Sequence, residues 1–230
     1  MFILAIDTAS IYCAIALTRH QAVIARISER ISKGHAEKLI GQIAQIIDQT
    51  DITFDQIDRI AINIGPGSFT GVRTGVSTAR ALALALEVPA IGVSTLEALA
   101  AQAINKNAMS TITVVIEAGR GMFYYQNFNK DLTALCAPGL QTLENIVAAL
   151  PQQTVLTGPA ADIIALHIKN NKINTTTISD LIPCEAADVL TYAHLAANKQ
   201  PQAAPRPLYL RDADAKQNAS FVLPRKNNGY

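Results

Sequence analysis

The chain lacks several features that would define its class. Only three of its 230 residues are cysteines, Cys13, Cys136 and Cys184, and no two form a CxxC pair. A sparse, odd set argues against a disulfide framework and a zinc knuckle and suits a reducing compartment, with the thiols acting as small buried hydrophobes. No run approaches the roughly 20 consecutive apolar residues that a membrane span needs. The opening MFILAIDTAS has no basic stretch and meets Asp7 too early for a secretion signal, so a cytoplasmic location with no membrane association is expected. An excess of one charge is also missing: 19 basic against 18 acidic residues leave +1. A chain that grips nucleic acid by itself is expected to carry a basic face, so any such footprint here has to be local.

Catalytic signatures are equally scarce. His20, His35, His167 and His194 are isolated, and neither HExxH nor HxxxH occurs. No G-x-S-x-G elbow presents a nucleophilic serine, and no Gly-Lys-Ser/Thr closes a Walker loop. What the chain has is apolar mass. Half of its residues are hydrophobic and 16% are charged, enough for one large domain or two lobes of about 100 residues.

The most informative stretch is Gly65-Pro66-Gly67-Ser68-Phe69-Thr70-Gly71-Val72-Arg73-Thr74-Gly75. It joins an apolar strand, Arg59–Ile64, to an Ala/Leu-rich helix expected over Thr70–Leu86. Ser68 or Thr70 can cap that helix, whose free N–H groups can receive an anion; a purely structural turn fits equally well. Gly71 and Gly75 fall one turn apart inside the helix, where each costs about 1 kcal/mol relative to Ala. Close approach of another backbone, strand or partner helix, would offset that cost.

Around this run, Phe2–Ile6, Tyr12–Leu17 and Ala22–Ile27 read as a three-stranded meander, and Gly34–Gln49 as an amphipathic helix with Leu39, Ile40, Ile43, Ile46 and Ile47 on its apolar stripe. A short strand over Val88–Val93 and a helix capped by Ser94 and reaching Ile104 follow. Asn105–Ser110 reads as a hinge, after which the pattern restarts: strands over Thr111–Ile116, Met122–Phe128, Leu132–Cys136 and Thr154–Leu156, and helices over Thr142–Leu150, Pro159–Ile168 and Cys184–Asn198. Leu4-Ala5-Ile6-Asp7 and Val114-Val115-Ile116-Glu117 are both apolar strands ending in a carboxylate, which suggests a duplicated unit.

The segments ILAIDTAS, GPGSFTGVRTG, VPAIGVSTLEALA and PLYLRDADAK occur in that order from near the first residue to near the last. Together they resemble the TsaB (YeaZ) family, bacterial proteins of tRNA threonylcarbamoyladenosine synthesis and non-catalytic paralogues of TsaD. The resemblance implies an α/β actin-like ATPase fold of two ribonuclease-H-like lobes, 1–104 and 105–216, with a frayed tail over 217–230. It implies a scaffold or regulatory subunit. With TsaD, such a complex transfers a threonylcarbamoyl group to the adenosine 3′ of the anticodon in tRNAs that read codons starting with A. TsaD is the direct partner, the ATPase TsaE joins at the TsaD–TsaB junction, tRNA comes through the complex, and the isolated chain is expected to homodimerise.

The resemblance also assigns residues. Asp7 and Thr8 lie on the turn that approaches nucleotide phosphates in the superfamily; weak nucleotide contact and simple turn stabilisation by an Asx-type bond both fit, and no cofactor of its own is expected. Thr95 and Leu99 fall where TsaD carries its His-x-x-x-His metal pair, so no metal and no catalytic residue are expected. The two N-terminal helices would form the partner surface through Leu39, Ile43, Ile46, Gly71, Val72, Gly75 and Ala79. Glu117-Ala118-Gly119-Arg120 departs from the Asp-Ala-Arg of the family. Tyr209 and Leu210 would anchor the tail, with Arg211 as a salt-bridge or partner contact. An independent actin-like ATPase or sugar kinase, and a glycoprotease-type peptidase, are the alternatives.

Overall fold

A computed structural model describes residues 1–31, 34–104, 111–174 and 176–211. The hinge expected over 105–110 and the tail over 217–230 lie outside the described residues. In the first half, β1 (Phe2–Asp7), β2 (Tyr12–Arg19) and β3 (Ala22–Arg30) form the meander and lead to α1 (His35–Asp48). Then come β4 (Arg59–Asn63), α2 (Phe69–Ala85), β5 (Ala90–Val93) and α3 (Thr95–Ile104). The second half holds β6 (Thr111–Gly119), β7 (Met122–Phe128), β8 (Gly139–Thr142), α4 (Leu143–Ala148), β9 (Gln153–Thr157), α5 (Ala161–Asn170), β10 (Thr177–Ile182) and α6 (Val189–Asn198).

The two sheets run β3-β2-β1-β4-β5 and β8-β7-β6-β9-β10. β1 pairs antiparallel with β2 and parallel with β4, as β6 does with β7 and β9. The halves therefore repeat one topology element by element, and the similarity of Leu4–Asp7 to Val114–Glu117 marks the two central strands. This is the two-lobed actin-like class, mixed sheets flanked by helices.

Each sheet is covered on both faces. Leu39, Ile43 and Ile46 of α1, with Val72, Val76 and Ala79 of α2, pack on Leu4, Ile6, Ile15, Leu17, Ile60 and Ile62 of the first sheet. α4 and α5 do the same for the second through Ile146, Val147, Ile164 and Ile168. The space between the sheets is filled by an exchange: α6 lies on β1, β2, β4 and β5, whereas α3 lies on β6, β7 and β9. Each half thus lends its last helix to the other half's sheet. One continuous core runs through Ala5, Ala16, Leu96, Leu99, Val114, Val155 and Tyr192.

Some boundaries differ from expectation. Leu132–Cys136 is not a strand, because the Asn129 side chain accepts from the N–H groups of Asp131 and Thr133 and turns the chain there. Only a bridge from Ala134 to Phe128 remains, and the third strand of the second meander is Gly139–Thr142. The helix expected from Cys184 starts at Val189, since Asp188 is its cap and accepts from Leu190 N at 3.0 Å. α5 begins at Ala161 rather than Pro159, after Gly158 at φ 105°. The edge strand Thr177–Ile182 was not expected; Ser179-Asp180 breaks its apolar alternation, and its pairing with β9 shifts register between Ile178 and Asp180.

Candidate functional site

β1, β4, α3 and α6 converge on Asn63, which ends β4 after the apolar run Ile60–Ile62. Asn63 is fully buried, so its amide has to find partners inside the protein. Its Nδ2 donates to Asp7 Oδ1 at 2.8 Å and to Tyr192 Oη at 2.9 Å. Its Oδ1 accepts from Gly65 N at 2.8 Å and from Thr95 Oγ1 at 2.9 Å. All four hydrogen-bonding positions of the amide are used.

Asp7 sits beneath this hub, 1% exposed. Its Oδ1 also accepts from Ala9 N at 2.8 Å, an Asx-type turn that fixes the end of β1. Burial pushes its carboxyl above the ordinary carboxylate range, partly countered by the Ala9 and Asn63 hydrogen bonds. The Tyr192 phenol is raised by its own burial and by the neighbouring Asp7 charge. Cys13, on β2, is pushed up to about 11, mainly by burial, and is not a nucleophile at neutral pH.

The glycine-rich loop is pressed onto the same turn. Thr8 Oγ1 donates to Gly71 O at 2.7 Å, and Ser68 N donates to Ala9 O at 2.8 Å. A Cβ on Gly71 would overlap Thr8 O, and one on Gly75 would overlap Thr8 Oγ1 and lie 2.9 Å from Ile62 Cδ1. The close approach that offsets the two helical glycines is thus made by the chain's own β1 turn. Ser68 caps α2, accepting from Gly71 N at 3.2 Å through its hydroxyl and from Val72 N at 2.8 Å through its carbonyl.

The residues expected at the partner surface lie on the inner side of the two helices. Leu39, Ile43, Ile46, Gly71, Val72, Gly75 and Ala79 are all buried against the sheet of their own lobe. They face inward because the apolar stripe of each helix is what covers β1, β2 and β4. The outward side of the same helices carries Ile40, Gly41 and Ala44 on α1, and Thr70, Ala81, Leu84 and Ala85 on α2. Ile40 is 59% and Leu84 is 82% exposed.

Thr95 is spent on Asn63, and Leu99 is in the core between the sheets. Among the described residues, no cluster of three or more His, Cys, Asp or Glu could hold a metal ion. Glu117, the counterpart of Asp7 in the second half, is exposed rather than buried. The returning tail is held as expected: Leu208 N donates to Ile64 O at 2.8 Å and Tyr209 stacks on Phe69. Arg211 donates to Ala118 O at 3.2 Å, an intramolecular tie to the other half.

Residues 23–219 match the family model of TsaD, tRNA N6-adenosine threonylcarbamoyltransferase. The tRNA threonylcarbamoyladenosine biosynthesis protein TsaB of Buchnera aphidicola subsp. Schizaphis graminum is 30% identical over 192 residues, covering 79% of this chain and 91% of that protein. The chain belongs to the TsaB family. Escherichia coli TsaB is 37% identical over 131 residues, 57% of this chain and 56% of its own length. Among solved structures, YeaZ from Pseudomonas aeruginosa matches with a TM-score of 0.70 at 22% identity, covering 86% of this chain and 92% of that one. Another solved structure, of an uncharacterized protein with similarity to peptidase YeaZ from Pseudomonas aeruginosa, gives 0.73 at 24% identity, covering 91% of this chain and 99% of that one. At these identities the likeness speaks for the fold alone, and it is the same fold. Asn63 and Tyr192 are the site residues that the sequence did not nominate in this TsaB-family chain. A lone Asn in the run Arg59–Ile64 was the only available signal.

Proposed function

We propose that this chain is the accessory, non-catalytic subunit of an assembly that makes tRNA threonylcarbamoyladenosine, and that it works by docking TsaD. The observation that carries this reading is family membership. The state of the β1 turn supports it: Asp7 is buried and hydrogen-bonded to the chain's own Ala9 and Asn63, and Thr95 serves the same hub. A turn closed in this way is a poor seat for phosphates or a metal, so the chain acts without a nucleotide or metal of its own. Catalysis of threonylcarbamoyl transfer then belongs to TsaD. The docking face is the outward side of α1 and α2, where Ile40, Gly41, Ala44, Thr70, Ala81 and Ala85 present small and apolar groups that let another helix approach closely. The same face pairs two copies when the chain is alone. TsaE joins at the junction between TsaD and this chain, tRNA is met through the complex, and the assembly works in the cytoplasm. Among the described residues no helix is long and apolar enough to cross a membrane.

Co-expression with the organism's TsaD, followed by a pull-down and a modification assay of the reconstituted set, tests this directly. Stable co-purification and loss of modification when this chain is omitted are expected. Modification by TsaD and TsaE alone at the full rate overturns it.

A further inference from the structure

α2 and the segment 199–211, which returns from α6 along the first sheet, together hold five cations and no carboxylate: Arg73, Arg80, Lys199, Arg206 and Arg211. Since the whole chain carries only +1, the rest of the sequence is net acidic. Lys199 is answered by Glu97 at 2.6 Å. Glu87, just past α2, lines the same hollow as Arg80. Arg80 and Arg206 are paired with no carboxylate among the described residues.

Two half-exposed rings stand at the end of this basic strip. Phe69 and Tyr209 lie 5.4 Å apart between centroids. The Arg73 guanidinium sits 3.7 Å over Phe69 and 5.6 Å from Tyr209, and its Nε donates to Tyr209 Oη at 2.7 Å. Arg73 and Arg80 are two helical turns apart, so both point from the same flank of α2, the one nearer the returning segment. Beside them run two hollows of about 640 and 630 Å³ that share Ala90, Gln202 and Ala204. They form one groove along the outer side of β5, with Arg80 and Leu84 at one end and Lys199 and Arg206 at the other.

Cations unpaired along a groove, with exposed rings beside them, are what a flexible polynucleotide needs: phosphates on the guanidinium groups and bases on the π-faces. Besides holding the tail, both rings keep about half of their surface exposed, which an acidic peptide would leave unused. We propose that this face, Phe69, Arg73, Arg80, Arg206 and Tyr209 with the groove along β5, binds an unpaired stretch of RNA. The inference rests on the tRNA-modification reading above and gives this chain its own RNA contact, on the flank of α2 that adjoins the TsaD-docking face at Ala81 and Leu84.

The test is a fluorescence-anisotropy titration of a dye-labelled tRNA anticodon stem-loop with the purified chain and with its TsaD complex, from 50 to 200 mM salt. In Arg80→Glu/Arg206→Glu, affinity should fall at least about tenfold. The slope of log affinity against log salt should flatten by about 1.4, at about 0.7 per phosphate lost. In Phe69→Ala/Tyr209→Ala, affinity should fall about tenfold with the slope kept, the signature of lost stacking. All four side chains are exposed, and a thermal melt confirms that each variant is folded. Unchanged RNA affinity in both folded variants overturns the proposal while leaving the docking of TsaD intact. Loss of TsaD binding in Arg80→Glu/Arg206→Glu with RNA affinity unchanged overturns it in favour of a protein-binding face. If the wild-type chain neither associates with TsaD nor supports modification, the functional reading itself fails, whatever the RNA titration gives.

Discussion

Tyr192 Oη accepts from Asn63 Nδ2 at 2.9 Å across a sequence separation of 129 residues. The bond joins the end of β4 in the first half to the middle of α6, the helix that the second half lends to the first sheet. Asn63 also holds Asp7, Gly65 and Thr95, so one side chain ties β1, the glycine-rich loop and the first turn of α3 to α6. Removing it would leave several buried polar groups without partners, each costing about 1–3 kcal/mol. Asn63→Ala should therefore lose about 3 kcal/mol or more of stability in urea unfolding. Asn63→Asp, which keeps the acceptor but not the donor, should also lose stability, because it sets a second carboxylate against Asp7. A loss below 1 kcal/mol in Asn63→Ala would mean that the hub is not what joins the halves.

Asp7 gives a prediction with a sign. Folding raises its pKa above the ordinary 3.8, chiefly by burial. The native state therefore holds the proton more tightly than the unfolded chain. That contribution is fully present below pH 3.8 and is lost as pH rises through the folded pKa. Asn at this position keeps the Oδ1 acceptor for Ala9 and Asn63 but cannot ionise. The stability of Asp7→Asn relative to wild type should thus be nearly constant at low pH and climb in the mutant's favour toward neutrality. Denaturant midpoints measured from pH 3.5 to 7.5 check it. A wild type that gains on the mutant as pH rises would show the carboxylate to be favourably ionised in place.

Arg59, at the start of β4, should matter for α6. Its Nη1 donates to the carbonyls of Ala196 and Lys199, the latter at 2.8 Å, closing the negative end of the helix. Arg59→Met keeps most of the apolar stem and removes the charge-assisted bonds, which are worth about 1.5–3 kcal/mol. Hydrogen exchange should quicken over residues 189–198 while β6 and β9 stay protected. Uniform quickening across both sheets would instead indicate that the halves unfold as one unit.

Much of the frame was legible because it rests on local periodicity. The meander, α1, α2 and the glycine-rich turn follow from alternation, the 3.6-residue stripe and cap chemistry. The repeat showed through two matching strands, Leu4–Asp7 and Val114–Glu117. What the sequence hid is long-range. Nothing in a run of Ala and Leu says that Tyr192 will reach Asn63, or that α3 and α6 will exchange sheets. The apolar stripe of α1 shows the same limit: one stripe is what a core helix and a docking helix both show, and here it packs on the first sheet. Gly71 and Gly75 signalled close approach correctly, but to the β1 turn rather than to another protein.

That distinction can be tested with two substitutions on the same helix. Gly75 meets Thr8 and Ile62, so Gly75→Leu overpacks the first lobe. Overpacking typically costs about 1–3 kcal/mol, or several degrees in Tm for a chain of this size. The fraction that folds should bind TsaD with unchanged affinity. Ala81 is exposed on the outward side, where an added side chain meets solvent and changes stability by no more than about 0.5 kcal/mol. Ala81→Glu should therefore melt like wild type yet bind TsaD at least tenfold more weakly, because a carboxylate would be buried in a close helix–helix contact without a partner. Melting curves and TsaD titrations of both variants separate the two faces. If Ala81→Glu binds TsaD normally while folded Gly75→Leu does not, the docking face lies elsewhere and the loop around Thr8 takes part in it.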